Sequence, residues 1–226
     1  TLYAGLNILN DKTKNILTVE DPIEYAIEGV TQTQVNTKVG MTFAKGLRAI
    51  LRQDPDIIML GEIRDLETAE IAIQASLTGH LVLSTVHTND SVAAITRMID
   101  IGIESYLLAS TLKAVLAQRL VRKLCSSCKE SLSLDSNIGT LNKGTDVFKA
   151  KGCDNCNNTG YRGRVGIFEL FLITDEIKEA INAGETENRL SDLAFSNENK
   201  LSHSGYDLVL RGVTSLEEIL RVTSEK

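Results

Sequence analysis

Short apolar runs alternate with amphipathic segments along the first half of the chain. The runs lie in "NILTVED", "PDIIMLGEIRD" and "GHLVLSTVHTND", and each is followed by polar residues. Between and after them, apolar residues recur at helical spacing in "TFAKGLRAILRQ", "ETAEIAIQASLTG", "DSVAAITRMIDIG" and "ESYLLASTLKAVLAQRL". Buried strands that alternate with helices predict an α/β fold with a parallel sheet.

Residues that begin and end helices agree with this pattern. The opening "TLYAGLNILN" predicts a helix that ends at Asn10. Asp65 is a candidate N-cap and Gly79 a candidate C-terminal signal for the helix between them. Near the end of the chain, Thr214 or Ser215 is placed to cap the helix of "LEEIL".

The second half of the chain changes in character. Residues 125–163 are rich in Ser, Asn, Gly and Lys and have few apolar positions, so they cannot build a core of their own. The stretch from "GRVGIFELFLITDEIKEAINAG" to "GVTSLEEILRVT" is interpreted as short amphipathic helices. We therefore expect a core domain over 1–122, a cysteine-containing subdomain over 123–165 and a small helical subdomain over 166–226.

Composition narrows the classes of partner. The 226 residues have a net charge of −6 and only 4% aromatic residues, which disfavours nucleic-acid binding by charge or by base stacking. No apolar run approaches the roughly 20 residues that span a bilayer, and the first residues lack the pattern of a signal peptide. We expect a cytoplasmic protein without a nucleic-acid partner.

Polar side chains follow each of the three predicted strands. Glu20 and Asp21 follow the first, Glu62 the second and His87 the third. The carboxyl ends of parallel strands lie at one edge of the sheet, so these groups are expected to converge on one crevice. Glu62 is a candidate for binding Mg²⁺ or its waters, Glu20 for orienting a water molecule, and His87 for donating to a phosphate oxygen. The alternative is that the carboxylates only cap helices or face solvent.

Two arginines share one face of a predicted helix. Arg48 and Arg52 lie four residues apart in "FAKGLRAILRQ". Enzymes that cleave nucleoside triphosphates need cations to offset the developing phosphate charge, and a neighbouring subunit often supplies them. A solvated basic stripe is the alternative interpretation for either residue alone.

Four cysteines form two pairs of the pattern C-x-x-C. Cys125 and Cys128 form the first pair, and Cys153 and Cys156 form the second. Such pairs complete a tetrahedral structural zinc site, which stabilises a segment that lacks apolar residues. Disulfides or unligated thiols are the alternative.

Taken together, these motifs resemble the type II secretion ATPase E family. "TVEDPIEY" is similar to its Asp box, "LRAILRQDPDIIMLGEIRD" to its Walker B region and "ASLTGHLVLSTVHTND" to its His box. The double C-x-x-C that ends in "GYRGRVGIFEL" is similar to its tetracysteine segment. The motifs occur in the family's order over nearly the whole chain.

The resemblance implies a RecA-like sheet with helices on both faces in a homohexameric motor that uses ATP and Mg²⁺ for secretion. In that family Glu20 corresponds to the carboxylate that activates water, Glu62 to the Walker B residue and His87 to a phosphate sensor. Asp21, Arg48 and Arg52 correspond to residues of the nucleotide site or the subunit interface. The expected partner is the cytoplasmic part of a platform protein in the inner membrane, which holds the motor peripherally at that membrane.

The phosphate-binding loop of the family is missing from the sequence. Its pattern, G-x-x-x-x-G-K-[ST], occurs nowhere in the 226 residues, and the resemblance places it immediately ahead of the "TLYAGL" helix. Backbone N–H groups and the lysine of that loop bind the phosphates. We therefore expect a RecA-like sheet that is incomplete at the N-terminus, and a fragment that does not bind ATP.

Two other functions fit the same residues. A type IV pilus assembly ATPase has the same chemistry and motifs. A zinc-ribbon module that binds protein or nucleic acid is the second alternative, and Lys123, Lys129, Lys151 and Arg162 lie near the cysteines. Aromatic support for that module is limited to Phe148 and Tyr161.

Overall fold

The computed structural model describes residues 1–195 and 200–223, which form two compact units. The first unit contains residues 1–88, 93–113 and 175–185. The second contains residues 89–92, 114–174 and the described residues from 186 onward. No helix within the described ranges is long and apolar enough to cross a membrane.

The first unit is an α/β structure, as the sequence predicts. Its strands are β1 (Ile16–Glu20), β2 (Val30–Gln34), β3 (Ile57–Leu60) and β4 (Leu81–Leu83). Its helices are α1 (Leu2–Leu9), α2 (Phe43–Ile50), α3 (Leu66–Leu77), α4 (Ala93–Ile101), α5 (Ser105–Thr111) and α6 (Asp175–Asn182).

A four-stranded sheet with the order β2-β1-β3-β4 lies at the centre of this unit, and every pairing is parallel. All five residues of β1 are buried, as are all four of β3, which is typical of strands covered on both faces. The sequence pattern did not predict β2, because its residues, VTQTQ, are mostly polar and lie at the edge of the sheet.

Helices cover both faces of the sheet, as the resemblance implies. On one face Leu6 of α1 packs with Ile16, Ile57 and Met59. On the other face the alternate strand residues pack against α2 and α3, in a cluster that includes Leu17, Val19, Leu47, Ile50, Ile58, Leu60, Ala72 and Ala75. The two clusters therefore fix which side chains of each strand point to which helical layer.

The predicted helix ends are mostly confirmed. The side chain of Asp65 accepts a hydrogen bond from the backbone N–H of Thr68 at 2.8 Å and caps α3. Gly79 follows that helix with a φ of 101°, a conformation that glycine adopts readily. Ser215, rather than Thr214, caps the last helix by accepting from the N–H of Glu218 at 3.2 Å.

The second unit is built around a long antiparallel ribbon. Its strands are β5 (Ala114–Leu124), β6 (Glu130–Ser133), β7 (Asp146–Lys149) and β8 (Tyr161–Leu172), and its helices are α7 (Glu187–Ala194), α8 (Leu201–Leu210) and α9 (Leu216–Thr223). β5 pairs with β8, and β6 pairs with β7 in a separate hairpin. One face of the ribbon packs with both the hairpin and α8 and α9 in a cluster that contains Val121, Leu134, Val147, Ile167 and Ile219.

Two helix predictions are wrong in the segments that form β5 and β8. The helix expected over "ESYLLASTLKAVLAQRL" ends at Thr111, and residues 114–124 form β5. The stretch "GRVGIFELFL", expected to be helical, lies in β8. Apolar residues in both segments fit a helical and an alternating pattern, and pairing between segments that lie far apart in sequence decides for the strand.

A buried carboxylate holds the end of β5 that leads into the first cysteine pair. The side chain of Glu218 is fully buried and accepts hydrogen bonds from the backbone N–H of Arg122 at 2.9 Å and from its guanidinium at 2.7 Å. Arg221 donates two further bonds at 2.8 and 2.9 Å. Arg122 also stacks on the ring of Tyr161, at 4.0 Å from the centroid. The cluster therefore joins α9 to both strands of the ribbon.

Candidate functional site

The carboxyl ends of β1, β3 and β4 meet at one edge of the sheet, as predicted from the sequence. The backbone N–H of Gly61 donates to the carbonyl of Val19 at 2.8 Å, and that of Ile63 donates to Thr85 at 3.0 Å. The hydroxyl of Thr85 donates to the carbonyl of Gly61 at 2.6 Å. These bonds fix the backbone around Glu20 and Glu62.

Glu20 ends β1, and its side chain is almost fully buried among hydrogen-bond donors. Its Oε1 accepts from the hydroxyl of Thr18 and from Nε2 of Gln32, the latter at 3.0 Å. Its Oε2 accepts from the hydroxyl of Tyr3 in the first turn of α1. Thr18 and Glu20 point to the same face of the sheet because they lie two residues apart on one strand. A buried carboxylate keeps its charge only with such partners.

Glu62 lies two residues beyond β3 and contacts the guanidinium of Arg64 and the imidazole of His87. Its Oε2 lies 2.5 Å from Nε of Arg64 and 3.2 Å from Nε2 of His87. The side chain of Glu62 is only 10% exposed, whereas that of His87 is 85% exposed. The pKa of Arg64 is raised by its hydrogen bond and charge interaction with Glu62, with a smaller contribution from Asp21. The structure therefore brings Glu62 and His87 into direct contact. The negative charge of Asp21 acts on Arg64 beside them.

The two candidate arginines make contacts of a different kind. Arg48 forms an ion pair with Glu67 at 2.7 Å, in which both side chains are about half exposed. Arg52 donates to the backbone carbonyl of Arg48 at 3.4 Å. Within the described part of the chain, neither has a recorded contact with Glu20 or Glu62, so their predicted role at a subunit interface stays a prediction.

The site includes residues that the sequence did not point to. Tyr3 and Gln32 come from α1 and from the edge strand β2, and no local pattern marks them as neighbours of Glu20. Thr18 was identifiable in principle, since a side chain two residues before Glu20 on a strand lies on the same face. Buried carboxylates at the end of a parallel sheet, with a histidine and an arginine beside one of them, can bind Mg²⁺ and polarise water.

The four cysteines come together in the second unit. Their sulfur atoms all lie within 4.8 Å of one another, and none of the four is in a disulfide. Cys125 and Cys153 are 4.0 Å apart between sulfurs, and Cys128 and Cys156 are 3.8 Å apart. Bonds of about 2.3 Å from zinc to four thiolates put neighbouring sulfurs of a tetrahedron about 3.8 Å apart. The cysteine arrangement therefore fits a structural Zn²⁺ site.

The backbone around the second cysteine pair supports thiolate chemistry. Burial opposes ionisation of Cys156, but the N–H groups of Cys153 and Gly160 donate to its sulfur and lower its pKa below the ordinary value. Gly160 has a φ of 75°, and a Cβ there would lie 2.6 Å from Cβ of Ala150. A side chain at this position would displace the loop that carries the donating N–H.

Known proteins with similar sequences cover the entire chain. Residues 1–221 match a family model described as "Type II/IV secretion system protein". The chain is 57% identical over 233 residues to type II secretion system protein E of Aeromonas hydrophila. It is 54% identical over 230 residues to type II secretion system ATPase E of Vibrio cholerae. Each match covers 100% of this chain and 46% of the relative, so the chain spans about half the length of these relatives.

Solved structures with a similar fold were also found. The pilus retraction motor PilT with bound ADP matches with a TM-score of 0.72 and 30% identity, over 98% of this chain and 56% of that one. The ATPase DotB of Legionella pneumophila matches with a TM-score of 0.67 over 96% of this chain and 53% of that one. DotB is only 20% identical, so this second similarity shows the fold alone.

Proposed function

Because the chain belongs to the type II/IV secretion system protein family, we propose that it is the carboxy-terminal part of an ATP-hydrolysing motor that powers type II protein secretion. The observation that carries this proposal is that Glu20 and Glu62, both buried, stand at the carboxyl edge of one parallel sheet. Relatives named type II secretion proteins, at 54–57% identity, favour secretion over pilus assembly.

In this motor the side chains at the sheet edge act on phosphate, metal and water. Glu62 binds Mg²⁺ or its water ligands, since a hard cation prefers a carboxylate oxygen held at a rigid strand end. Glu20 accepts a hydrogen bond from the attacking water and orients it. His87, which is exposed and contacts Glu62, donates to a phosphate oxygen. Asp21 adds negative charge near Arg64.

ATP hydrolysis by the full-length protein tests this assignment. Glu20→Gln keeps the size of the side chain and removes its charge, so turnover is expected to fall about 100-fold or more while ATP still binds. Glu28→Gln is the matched control, because Glu28 is an exposed carboxylate in the segment between β1 and β2. This variant is expected to keep turnover within about twofold. Equal turnover in the two variants would mean that Glu20 is not part of the reaction.

A polypeptide of these 226 residues alone is proposed not to bind ATP. The pattern of the phosphate-binding loop does not occur in it, and that loop provides most contacts to the β- and γ-phosphates.

We further propose that the full-length protein is a homohexamer held at the cytoplasmic face of the inner membrane by a platform protein. In that hexamer Arg48 and Arg52 act across the subunit boundary, which requires the ion pair of Arg48 with Glu67 to open.

We propose that the second unit carries one structural Zn²⁺ bound by the four cysteines. The distances between sulfurs and the donors to Cys156 support this proposal. Zinc there stabilises the loop that connects β5 to β6 and the loop that connects β7 to β8. We also propose that the chain divides functionally as predicted above, into the parts 1–122, 123–165 and 166–226.

A further inference from the structure

The hydrogen bonds to Glu20 use nearly all of its acceptor capacity. A carboxylate offers about four acceptor positions, two on each oxygen. Thr18 and Gln32 occupy both positions on Oε1, and Tyr3 occupies one on Oε2. Within the described residues, one position on Oε2 therefore remains without a recorded donor.

Tyr3 is itself held so that its proton faces Glu20. The backbone N–H of Glu24 donates to its hydroxyl oxygen at 3.2 Å, and Nε2 of Gln32 lies 3.3 Å from the same oxygen. A phenolic hydroxyl has one proton to donate, and because the N–H of Glu24 is directed at its oxygen, that proton goes to the carboxylate. The ring of Tyr3 meets that of Tyr25 edge-on at 4.6 Å between centroids, which fixes its rotamer.

We propose that Tyr3 is a positioning residue for Glu20: its hydroxyl fixes Oε2 so that the remaining acceptor position receives the attacking water. This inference rests on the proposed function, in which Glu20 orients that water. It also ties the carboxylate to the first turn of α1, so a shift of that helix moves the acceptor position. A misplacement of a reacting group by about 1 Å costs on the order of 100-fold in rate.

The raised pKa of Tyr3 is consistent with a hydroxyl that always donates its proton to Glu20. Burial raises the pKa of Tyr3 above its ordinary value of 10.0, and the hydrogen bond to Glu20 raises it further. The phenol therefore keeps its proton throughout the neutral range and remains a donor to Glu20.

Titration of tyrosines in the 226-residue chain, followed by NMR without nucleotide, tests the contact directly. In Glu20→Gln the Tyr3 signal is expected to titrate at lower pH than in the wild type, because the carboxylate that stabilises the protonated phenol is gone. In Glu28→Gln it is expected to titrate as in the wild type. If Tyr3 titrates identically in all three proteins, the hydrogen bond does not exist and the proposal is overturned.

Kinetics of the full-length protein test the consequence. Tyr3→Phe is expected to lower kcat for ATP hydrolysis by about 10-fold and to leave KM within about twofold, since only the placement of water changes. Tyr25→Phe is the matched control, because it keeps the ring contact and removes a hydroxyl that has no hydrogen bond to any residue in 1–195 or 200–223; its kcat is expected within about twofold of wild type.

The titration and the kinetics together distinguish failure of the positioning role from failure of the proposed function. Equal kcat in Tyr3→Phe and Tyr25→Phe would overturn the positioning role even where the titration confirms the contact. A fall in kcat that Tyr3→Phe shares with Tyr25→Phe, and that parallels a fall in thermal stability, would assign both hydroxyls to stability only and would also overturn it. Full turnover in Glu20→Gln would instead contradict the proposed function, whereas the titration result would stand on its own.

Discussion

The buried Glu218 cluster makes a prediction whose size follows from the structure. Burial alone raises the pKa of a carboxyl group, but the hydrogen bonds from Arg221 and Arg122 outweigh it and hold the pKa of Glu218 at about 2. The ordinary value is 4.5. A carboxylate with a lowered pKa in the folded state stabilises that state above its unfolded pKa, and this contribution is lost as the pH falls toward the folded pKa.

The lowering of the pKa from 4.5 to about 2 corresponds to about 3 kcal/mol of folding free energy, at about 1.4 kcal/mol per unit. The side chain of Glu218 is fully enclosed, but those of Arg122 and Arg221 are 46% and 59% exposed. Solvent screens the partners, so we expect about 2 kcal/mol from the charge of Glu218 at pH 7. The contribution is complete above about pH 5 and declines steadily toward pH 2.

Glu218→Gln removes this charge with little change in shape. The variant is expected to lose about 2 kcal/mol of unfolding free energy at pH 7, with a smaller loss at pH 3. Urea unfolding at both pH values measures this loss of unfolding free energy. The unfolding is followed through the backbone amide signals of Val121 and Ile219, which lie in the core of the second unit. The neighbouring Glu217 is exposed, so Glu217→Gln is the control and is expected to stay within about 0.5 kcal/mol of wild type. Equal stability of the two variants at pH 7, or a loss in Glu218→Gln that is the same at both pH values, would refute the reasoning.

Three further predictions concern metal and nucleotide. Protein purified without added metal is expected to contain about one zinc per chain by elemental analysis, and less than about 0.3 would contradict the site at the cysteines. Calorimetry of the 226-residue chain with Mg²⁺ and ATP is expected to show no binding below about 1 mM, whereas low-micromolar binding would place the nucleotide site elsewhere. In the full-length protein Arg48→Ala is expected to lose most turnover and to regain part of it when mixed with Glu62→Gln subunits, and no regain in mixed oligomers would contradict a role across the interface.

Much of the first unit is predictable from the sequence because its central strands, β1 and β3, are short, largely apolar and fully buried. The runs that became β1, β3 and β4 differ sharply from the amphipathic helices between them. β2 carries no such signal, since an edge strand with polar residues resembles a loop. Its place in the sheet comes from pairing with β1 along its whole length.

The ribbon of the second unit shows where local patterns fail. The segment of β5 pairs with β8, in which Ala114 lies opposite Leu172. Nothing within about ten residues of either segment reports that pairing, and the runs of leucine and valine suit a helix equally well. Pairing between segments distant in sequence therefore overrides the local preference.

Part of the candidate site was predictable from the sequence, and part depends on contacts between distant segments. The position of Glu20 and Glu62 at one edge of the sheet follows from a general property of parallel sheets, so it was predictable from strand ends alone. The groups that hold Glu20 come from α1 and β2 and depend on how those elements pack. The pairing of Arg48 with Glu67 likewise depends on the packing of α2 against α3 rather than on the spacing of arginines.

The most direct test of the proposed motor is the turnover of Mg²⁺-ATP by the full-length protein carrying Glu62→Gln. Glu70→Gln serves as control, because Glu70 is an exposed carboxylate on α3, close to Glu62 in sequence. Loss of about 100-fold or more in Glu62→Gln, with ATP binding retained and Glu70→Gln near wild type, is the result the structure predicts. Turnover of Glu62→Gln equal to that of Glu70→Gln would contradict it and leave the carboxylates at the sheet edge without a part in ATP hydrolysis.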